Sequence, residues 1–112
     1  MHFLYFSTCQ YAFLVIYFII MKTEDINTCR AEIDRIDAEI LNLLNERCQA
    51  VLTIGKLKKS SGRAVRDQSR EDAILDRLKK LNAGSLPPEG IETVWKTIFA
   101  VSRNMEDHVK TP

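Results

Sequence analysis

One long amphipathic pattern dominates the middle of this 112-residue chain. Asp25 or Asn27 can cap a helix there, and no proline interrupts the pattern before about Lys59. Such a helix is about 50 Å long, too long for the rest of a small domain to cover, so a partner chain is expected, most simply in a symmetric homodimer. Apolar or small side chains recur every three or four residues along it. They are Cys29, Ile33, Ile36, Ile40, Leu43, Leu44, Cys48, Val51, Ile54 and Leu57.

Two cations, Arg47 and Lys58, interrupt this apolar stripe. They are eleven residues apart, which is three turns plus about 20°, so both face the same way with Val51 and Ile54 between them. Cations normally lie on the solvent face of a helix, and here two share the face that should be buried. Arg30 is seventeen residues from Arg47 and about 100° out of register, so it could join these cations only from a partner chain.

The composition excludes several classes of protein. A formal net charge of +1 argues against nucleic acid as the main partner, because phosphate binding normally needs a clear basic excess. Cys29 and Cys48 would lie roughly 28 Å apart on one helix and cannot bridge within the chain, so a reducing, cytoplasmic location is expected. The sequence carries no metal-ligand spacing and no glycine-rich phosphate loop.

The N-terminal segment Phe3–Ile20 is uncharged, strongly apolar and long enough to span a bilayer. Three interpretations stay open: translation starts at Met21, the segment is a membrane anchor flanked by Lys22, or it is a signal peptide, which it resembles poorly. In the last two cases the protein would be membrane-anchored or exported. We expect residues 1–21 to lie outside the fold and residues 22–112 to form one domain.

Two shorter helices should follow the long one, which makes the domain all-α. Ser60-Ser61-Gly62 ends the first helix, and a second runs from about Asp67–Ser69 to about Leu81. Pro87-Pro88 suits the start of a third helix that ends near Val109. The predicted apolar face of the third helix comprises Ile91, Val94, Trp95, Ile98, Ser102 and Met105.

Polar side chains at two places are candidates for chemistry. Asp67, Arg70 and Glu71 share a face at the start of the second helix, where acids also suit the helix macrodipole without any further role. Ser102 and Glu106 share a face of the third helix, in register with its apolar stripe. A carboxylate on such a stripe lies at a frayed end or is buried for a functional reason.

The order and spacing of short motifs resemble the all-helical (type II) chorismate mutases. The motifs are Cys29–Asp34, Glu46-Arg47, Ile54-Gly55-Lys56-Leu57-Lys58 and Val65–Glu71, and the resemblance covers about Ile26–Glu106. It implies an intertwined homodimer of three-helix chains that rearranges chorismate to prephenate in aromatic amino acid biosynthesis. It implies no metal and no cofactor.

The resemblance also implies roles for individual residues. Arg47 would bind one substrate carboxylate, Lys58 would hydrogen-bond the ether oxygen of the breaking bond, and Glu106 would face Lys58 across that oxygen. An ionised carboxylate cannot donate a hydrogen bond to an ether oxygen, so Glu106 should be protonated during turnover. Activity should then fall as pH rises.

The remaining implied site residues bind substrate. The other subunit's Arg30 would bind a second carboxylate, and Ser102 would meet the ring carboxylate. Asp67, through its backbone, and Glu71 would hold the ring hydroxyl, while Arg70 would extend the cationic wall. Arg103 departs from the family pattern, in which an apolar residue often follows the serine, and could shift substrate preference if it points into the site.

Other functions fit part of the pattern. Isochorismate pyruvate-lyase is a sister enzyme on the same fold with a similar cationic pocket, and sequence separates the two poorly. A catalytically silent helical dimerisation module would not need Arg47 or Lys58. A mutase with low activity until a partner enzyme of the pathway orders the loop near Ser60–Asp67 is a third possibility.

Overall fold

The computed structural model describes the backbone of residues 2–109, together with the side chains of residues 9–20 and 25–109. These residues form α1 (His2–Ser61), α2 (Gln68–Leu81) and α3 (Pro88–Asp107), and the described backbone contains no strand. The all-helical prediction is therefore confirmed. The chain divides into two compact units, Met1–Leu43 and Leu44–Pro112.

The first helix begins much earlier than predicted. We expected a start at Asp25 or Asn27, but α1 already begins at His2. The physical reason is that no glycine or proline occurs between Met1 and Ile54, so nothing in the sequence stops the helix upstream of the two possible caps.

The end of α1 lies where the sequence predicts it. The helix ends at Ser61, and Gly62 adopts a left-handed φ of 71°. The Arg63 backbone N–H donates to the Lys58 carbonyl at 2.9 Å, as in a Schellman C-cap. This cap fixes the direction in which the chain leaves α1 immediately after Lys58.

In the first unit the apolar stripe of α1 is largely exposed. Ile33, Ile40 and Leu43 each retain roughly half or more of their accessible surface. On the polar side, Arg35 forms 2.5 Å ion pairs with Glu32 and Glu39, and its hydrogen bond lowers the pKa of Glu32. Exposed ion pairs of this kind stabilise a helix only slightly. The exposed apolar stripe is the more informative feature of this unit, because such surfaces often mark sites of protein association.

The N-terminal apolar segment belongs to the same helix as far as the structure describes it. The side chains of residues 3–8, Met21 and Lys22 lie outside the described part. Among the residues that the structure describes, no helix combines the length and the apolar character needed to cross a membrane.

The second unit has a small apolar core where the end of α1 meets α2 and α3. Its buried apolar side chains are Val51, Leu75, Ile91, Phe99 and Val109. The buried face of α3 differs from the predicted one, because Val94 is 46% exposed while Phe99 is buried. The observed stripe passes through Ile91, Trp95, Phe99, Ser102 and Glu106, so it shares three residues with the predicted face and is rotated slightly from it.

Gly55 allows α1 and α3 to approach closely. A Cβ atom at Gly55 would lie 3.0 Å from Val109 Cγ2 and 3.3 Å from the Glu106 Cα. The glycine therefore has a packing reason rather than only a cost in helix propensity. Glu106 of α3 therefore lies against Gly55 of α1, and Lys58 is about one helical turn further along α1.

Candidate active site

An open cleft of about 370 Å³ lies among the three helices of the second unit. Seven of the eight site residues predicted from the sequence line it. The full lining comprises Arg47, Ala50, Val51, Ile54, Lys58, Val65, Asp67, Arg70, Glu71, Ile74, Phe99, Ser102, Arg103 and Glu106. Arg30 is not in this group and is an exposed residue of the first unit.

Arg47 is held in place by two contacts to α3. Its Nη1 donates to Ser102 Oγ at 2.6 Å, and its guanidinium lies over the Phe99 ring, 5.9 Å from the centroid. Both contacts restrict the side chain without neutralising it. A guanidinium has five N–H donors, so most remain available to a planar anion such as a carboxylate.

Lys58 joins the end of α1 to α3 and to the loop before α2. Its Nζ lies 3.1 Å from Glu106 Oε2 and donates to the Val65 carbonyl at 2.8 Å. The two side chains of the ion pair are well covered, with 18% of Lys58 and 9% of Glu106 exposed. The carboxylate on the apolar stripe of α3 is thus buried and paired, and one ammonium N–H of Lys58 remains for a ligand.

The start of α2 contributes the polar wall of the cleft. Asp67 is the N-cap of α2: its carboxylate accepts from the Arg70 backbone N–H at 2.9 Å, and its carbonyl accepts from the Glu71 N–H at 3.1 Å. The ordinary helix-start chemistry is therefore present. Asp67, Arg70 and Glu71 also line the cleft, so capping and placement in the site coincide.

Arg103 points into the cleft and forms an ion pair with Glu71. Its Nη1 donates to Glu71 Oε2 at 2.6 Å, and only 14% of the Glu71 side chain is exposed. The sequence singled out Arg103 as a departure but gave no indication of this partner. Phe99 was missed as a site residue, although it lies three residues before Ser102 and seven before Glu106 on the same stripe.

The charges of the cleft leave two cations without a carboxylate partner. Four cations and three carboxylates line it. Lys58 pairs with Glu106 and Arg103 with Glu71, whereas the ion pairs of the described residues do not include Arg47 or Arg70. A half-covered cleft with uncompensated guanidinium groups is typical of an enzyme site for an anionic substrate.

Comparison with known proteins identifies the family. Residues 29–107 match the sequence model of the family described as chorismate mutase type II. A bifunctional chorismate mutase/prephenate dehydratase of Aquifex aeolicus is 33% identical over 91 residues, and one of Neisseria gonorrhoeae is 45% identical over 71. These alignments cover 78% and 63% of this chain but only 25% and 19% of the two bifunctional proteins.

A solved structure agrees with the sequence relatives. Chorismate mutase (form II) from Thermus thermophilus superposes with a TM-score of 0.72 at 38% identity, covering 74% of this chain and 94% of that one. The chain belongs to the type II chorismate mutase family.

Proposed function

We propose that the protein catalyses the rearrangement of chorismate to prephenate, which leads to phenylalanine and tyrosine. The observation that carries the proposal is the pairing of Lys58 with Glu106 beside the uncompensated Arg47, in one cleft of a chain from this family. Chorismate is a dicarboxylate with an ether bond that breaks during the reaction. The cleft offers cations for the carboxylates and a partly buried ammonium group for the ether oxygen.

The reaction suits residues that bind and orient. A rearrangement within one molecule breaks a C–O bond and forms a C–C bond without transferring a group to the protein. Catalysis then comes from holding the enolpyruvyl arm over the ring and from stabilising charge on the ether oxygen. Arg47 binds one carboxylate, Ser102 meets the ring carboxylate, and Lys58 donates to the ether oxygen.

The start of α2 binds the other side of the ring in this proposal. The Asp67 backbone and the Glu71 carboxylate hold the ring hydroxyl, and Arg70 adds positive charge to the wall. Asp67 is fixed by its capping hydrogen bond, so its backbone is already ordered before substrate arrives. Preorganised groups of this kind lose little freedom on binding.

Glu106 is the residue whose role depends on its proton. Two donors about 2.9 Å from one ether oxygen, at a roughly tetrahedral angle, would lie about 4.7 Å apart, so the present 3.1 Å pair must open by about 1.6 Å when substrate enters. Protonation removes the charge that holds Glu106 to Lys58 and supplies the donor that the ether oxygen needs.

The proposal includes a homodimer. The mutase domain, residues 22–112, would pair through the apolar stripe of α1, and the partner subunit's Arg30 would complete the site. The support is the exposure of apolar side chains at Ile33, Ile36 and Ile40, together with Val94 and Val101 of α3. Burying such side chains against a second copy stabilises a dimer by about 25 cal/mol per Å² before the cost of association.

The test is an assay of the purified full chain with chorismate and, separately, with isochorismate. Loss of chorismate absorbance with formation of prephenate supports the proposal. Release of pyruvate from isochorismate without turnover of chorismate would instead assign the lyase activity. A folded dimer that consumes neither substrate would contradict an enzyme that is active on its own, and it would leave a mutase that needs a partner enzyme or a helical dimerisation module.

The pH dependence of the reaction tests the role of Glu106. We expect kcat/KM to fall as pH rises, because only the protonated form of Glu106 donates to the ether oxygen. Glu106→Gln donates at every pH and should remove this dependence. Asp107→Asn, which neutralises an exposed carboxylate of α3 outside the cleft, should keep the parental profile. A parental profile that stays flat up to about pH 8 would contradict this role.

Gly55→Ala tests whether the close approach of α1 and α3 sets the position of Glu106. The added Cβ lies 3.3 Å from the Glu106 backbone, so α3 must shift by a few tenths of an ångström. We expect kcat to fall by about two- to tenfold, with a loss of unfolding free energy of at most about 2 kcal/mol, because helix propensity offsets part of the overpacking.

The matched control for that experiment is Gly84→Ala. A Cβ at Gly84 meets only Asn82 Oδ1 at 3.8 Å, an ordinary contact, so kinetics and unfolding should stay parental. If Gly55→Ala proves fully active and more stable than the parent, the close approach does not position Glu106.

A further inference from the structure

The ion pair between Arg103 and Glu71 connects α3 to α2 inside the cleft. Arg103 Nη1 lies 2.6 Å from Glu71 Oε2, with 28% of the arginine side chain and 14% of the glutamate side chain exposed. A charge-assisted hydrogen bond of this length is among the stronger polar contacts in proteins. Without it, a nearly buried carboxylate would have no charged partner.

The same pair forms the wall between two cavities. A second cleft of about 310 Å³ lies beside the first, and Glu71, Phe99 and Arg103 line both. The Arg103 side chain therefore extends from α3, next to Ser102, across this wall to α2. Its position is set by the carboxylate that it contacts.

The hydrogen bonding of Glu71 leaves room for a ligand. Among the described residues, the carboxylate accepts only from Arg103, and it does so through Oε2. Oε1 is left for another donor, such as a hydroxyl group. A carboxylate in this place would otherwise repel a substrate with two negative charges, and the guanidinium cancels that repulsion.

We propose that Arg103 is a positioning residue for substrate binding: it fixes the Glu71 carboxylate through Oε2, leaves Oε1 to accept the ring hydroxyl, and cancels the negative charge, without itself touching the substrate. This inference rests on the proposed mutase function, in which Glu71 holds that hydroxyl. It assigns a specific task to the arginine that departs from the family pattern.

The test is a double-mutant cycle on the full chain with chorismate as substrate. Arg103→Met should raise KM by about tenfold and lower kcat much less, because an unpaired Glu71 repels the substrate and loses its orientation. Glu71→Gln should also raise KM. In the Glu71→Gln background, Arg103→Met should add less than about twofold, because an amide needs no counter-charge.

Two further variants control the cycle. Arg103→Lys keeps the charge and should recover part of the lost affinity, although a lysine cannot reproduce the guanidinium geometry. Arg77→Met removes an exposed arginine of α2 that lines neither cleft, and its KM should remain parental. Thermal unfolding of each variant is measured beside the kinetics.

The possible results separate the inference from the function on which it rests. If Arg103→Met raises KM equally in both backgrounds, Arg103 contacts the substrate directly and the proposal is overturned. If the variant unfolds at a lower temperature while KM is unchanged, the pair is only a structural tie between helices. If the parent chain does not turn over chorismate, the proposed function fails first and the role of Arg103 fails with it.

Discussion

Lys58→Met should lower kcat for chorismate by roughly 10²–10³-fold. The chain should keep its helices, which circular dichroism measures. Lys58 is the partly buried ammonium group that would stabilise negative charge on the ether oxygen, and its Nζ donates a hydrogen bond to the Val65 carbonyl at 2.8 Å. A donor held at fixed geometry in a covered site contributes far more than the same donor in water. Methionine has a similar length but cannot donate.

Stability and catalysis must be separated in this experiment. Lys58→Met strands the Glu106 carboxylate, which is 9% exposed, and breaking a buried ion pair in this way costs about 3–5 kcal/mol. The double variant Lys58→Met/Glu106→Gln removes the stranded charge, so it should recover most of the stability yet stay inactive. Lys56→Met, at an exposed position of α1, is the matched control and should behave like the parent.

The double variant decides what Lys58 does. If it regains near-parental turnover, the lysine serves only to neutralise Glu106, and the ether oxygen does not need a donor from α1. If it stays inactive while its unfolding transition returns to the parental range, the loss is chemical rather than structural.

The placement of Arg47 and Lys58 could be predicted from the sequence because a helix converts spacing into direction. Eleven residues bring two side chains back to nearly the same face, and nothing in the tertiary structure can change that relation while the helix is intact. The structure places both cations on one cleft with Val51 and Ile54 between them. The start of α2 near Asp67 was predictable from local chemistry too, because acidic side chains suit a helix N-terminus, and Asp67 is the N-cap in the structure.

Long-range contacts do not follow from helix geometry. Only the family resemblance placed Glu106 opposite Lys58, because the two residues are 48 positions apart and their 3.1 Å contact depends on the approach that Gly55 permits. The pairing of Arg103 with Glu71 likewise depends on how α3 rotates against α2. The predicted face of α3 shows this limit: it included Val94, which is exposed, and left out Phe99, which is buried, because both are apolar and only packing decides which is covered.

The predicted start of α1 was wrong for a different reason. Capping residues show where a helix can begin, but a helix continues through them unless a breaker precedes them. Asp25 and Asn27 have no glycine or proline upstream, and α1 passes through both. The division between residues 1–21 and 22–112 therefore remains a prediction that chain composition, rather than helix chemistry, supports.

Arg47→Ala should lower kcat/KM by about 10³-fold, equivalent to about 4 kcal/mol. The variant removes the guanidinium that would bind a substrate carboxylate, together with its hydrogen bond to Ser102. Arg47 has no carboxylate partner among the described residues, so its loss strands no buried charge and the fold should persist. Arg47→Lys keeps the charge without the fork of donors and should be intermediate. Arg77→Ala, which removes an exposed arginine of α2, should match the parent.

Mixing two inactive variants extends this prediction to the proposed dimer. In the proposed arrangement each site combines Arg47 of one chain with the partner subunit's Arg30. Arg30→Ala and Arg47→Ala should each be nearly inactive alone. After their subunits exchange, half of the dimers are mixed, and each mixed dimer carries one complete site and one site that lacks both arginines. About a quarter of parental activity should therefore return. A mixture that stays inactive after complete exchange would mean that both arginines act from the same chain. An active Arg47→Ala protein would show that the reaction does not need Arg47, which would contradict the proposed mechanism.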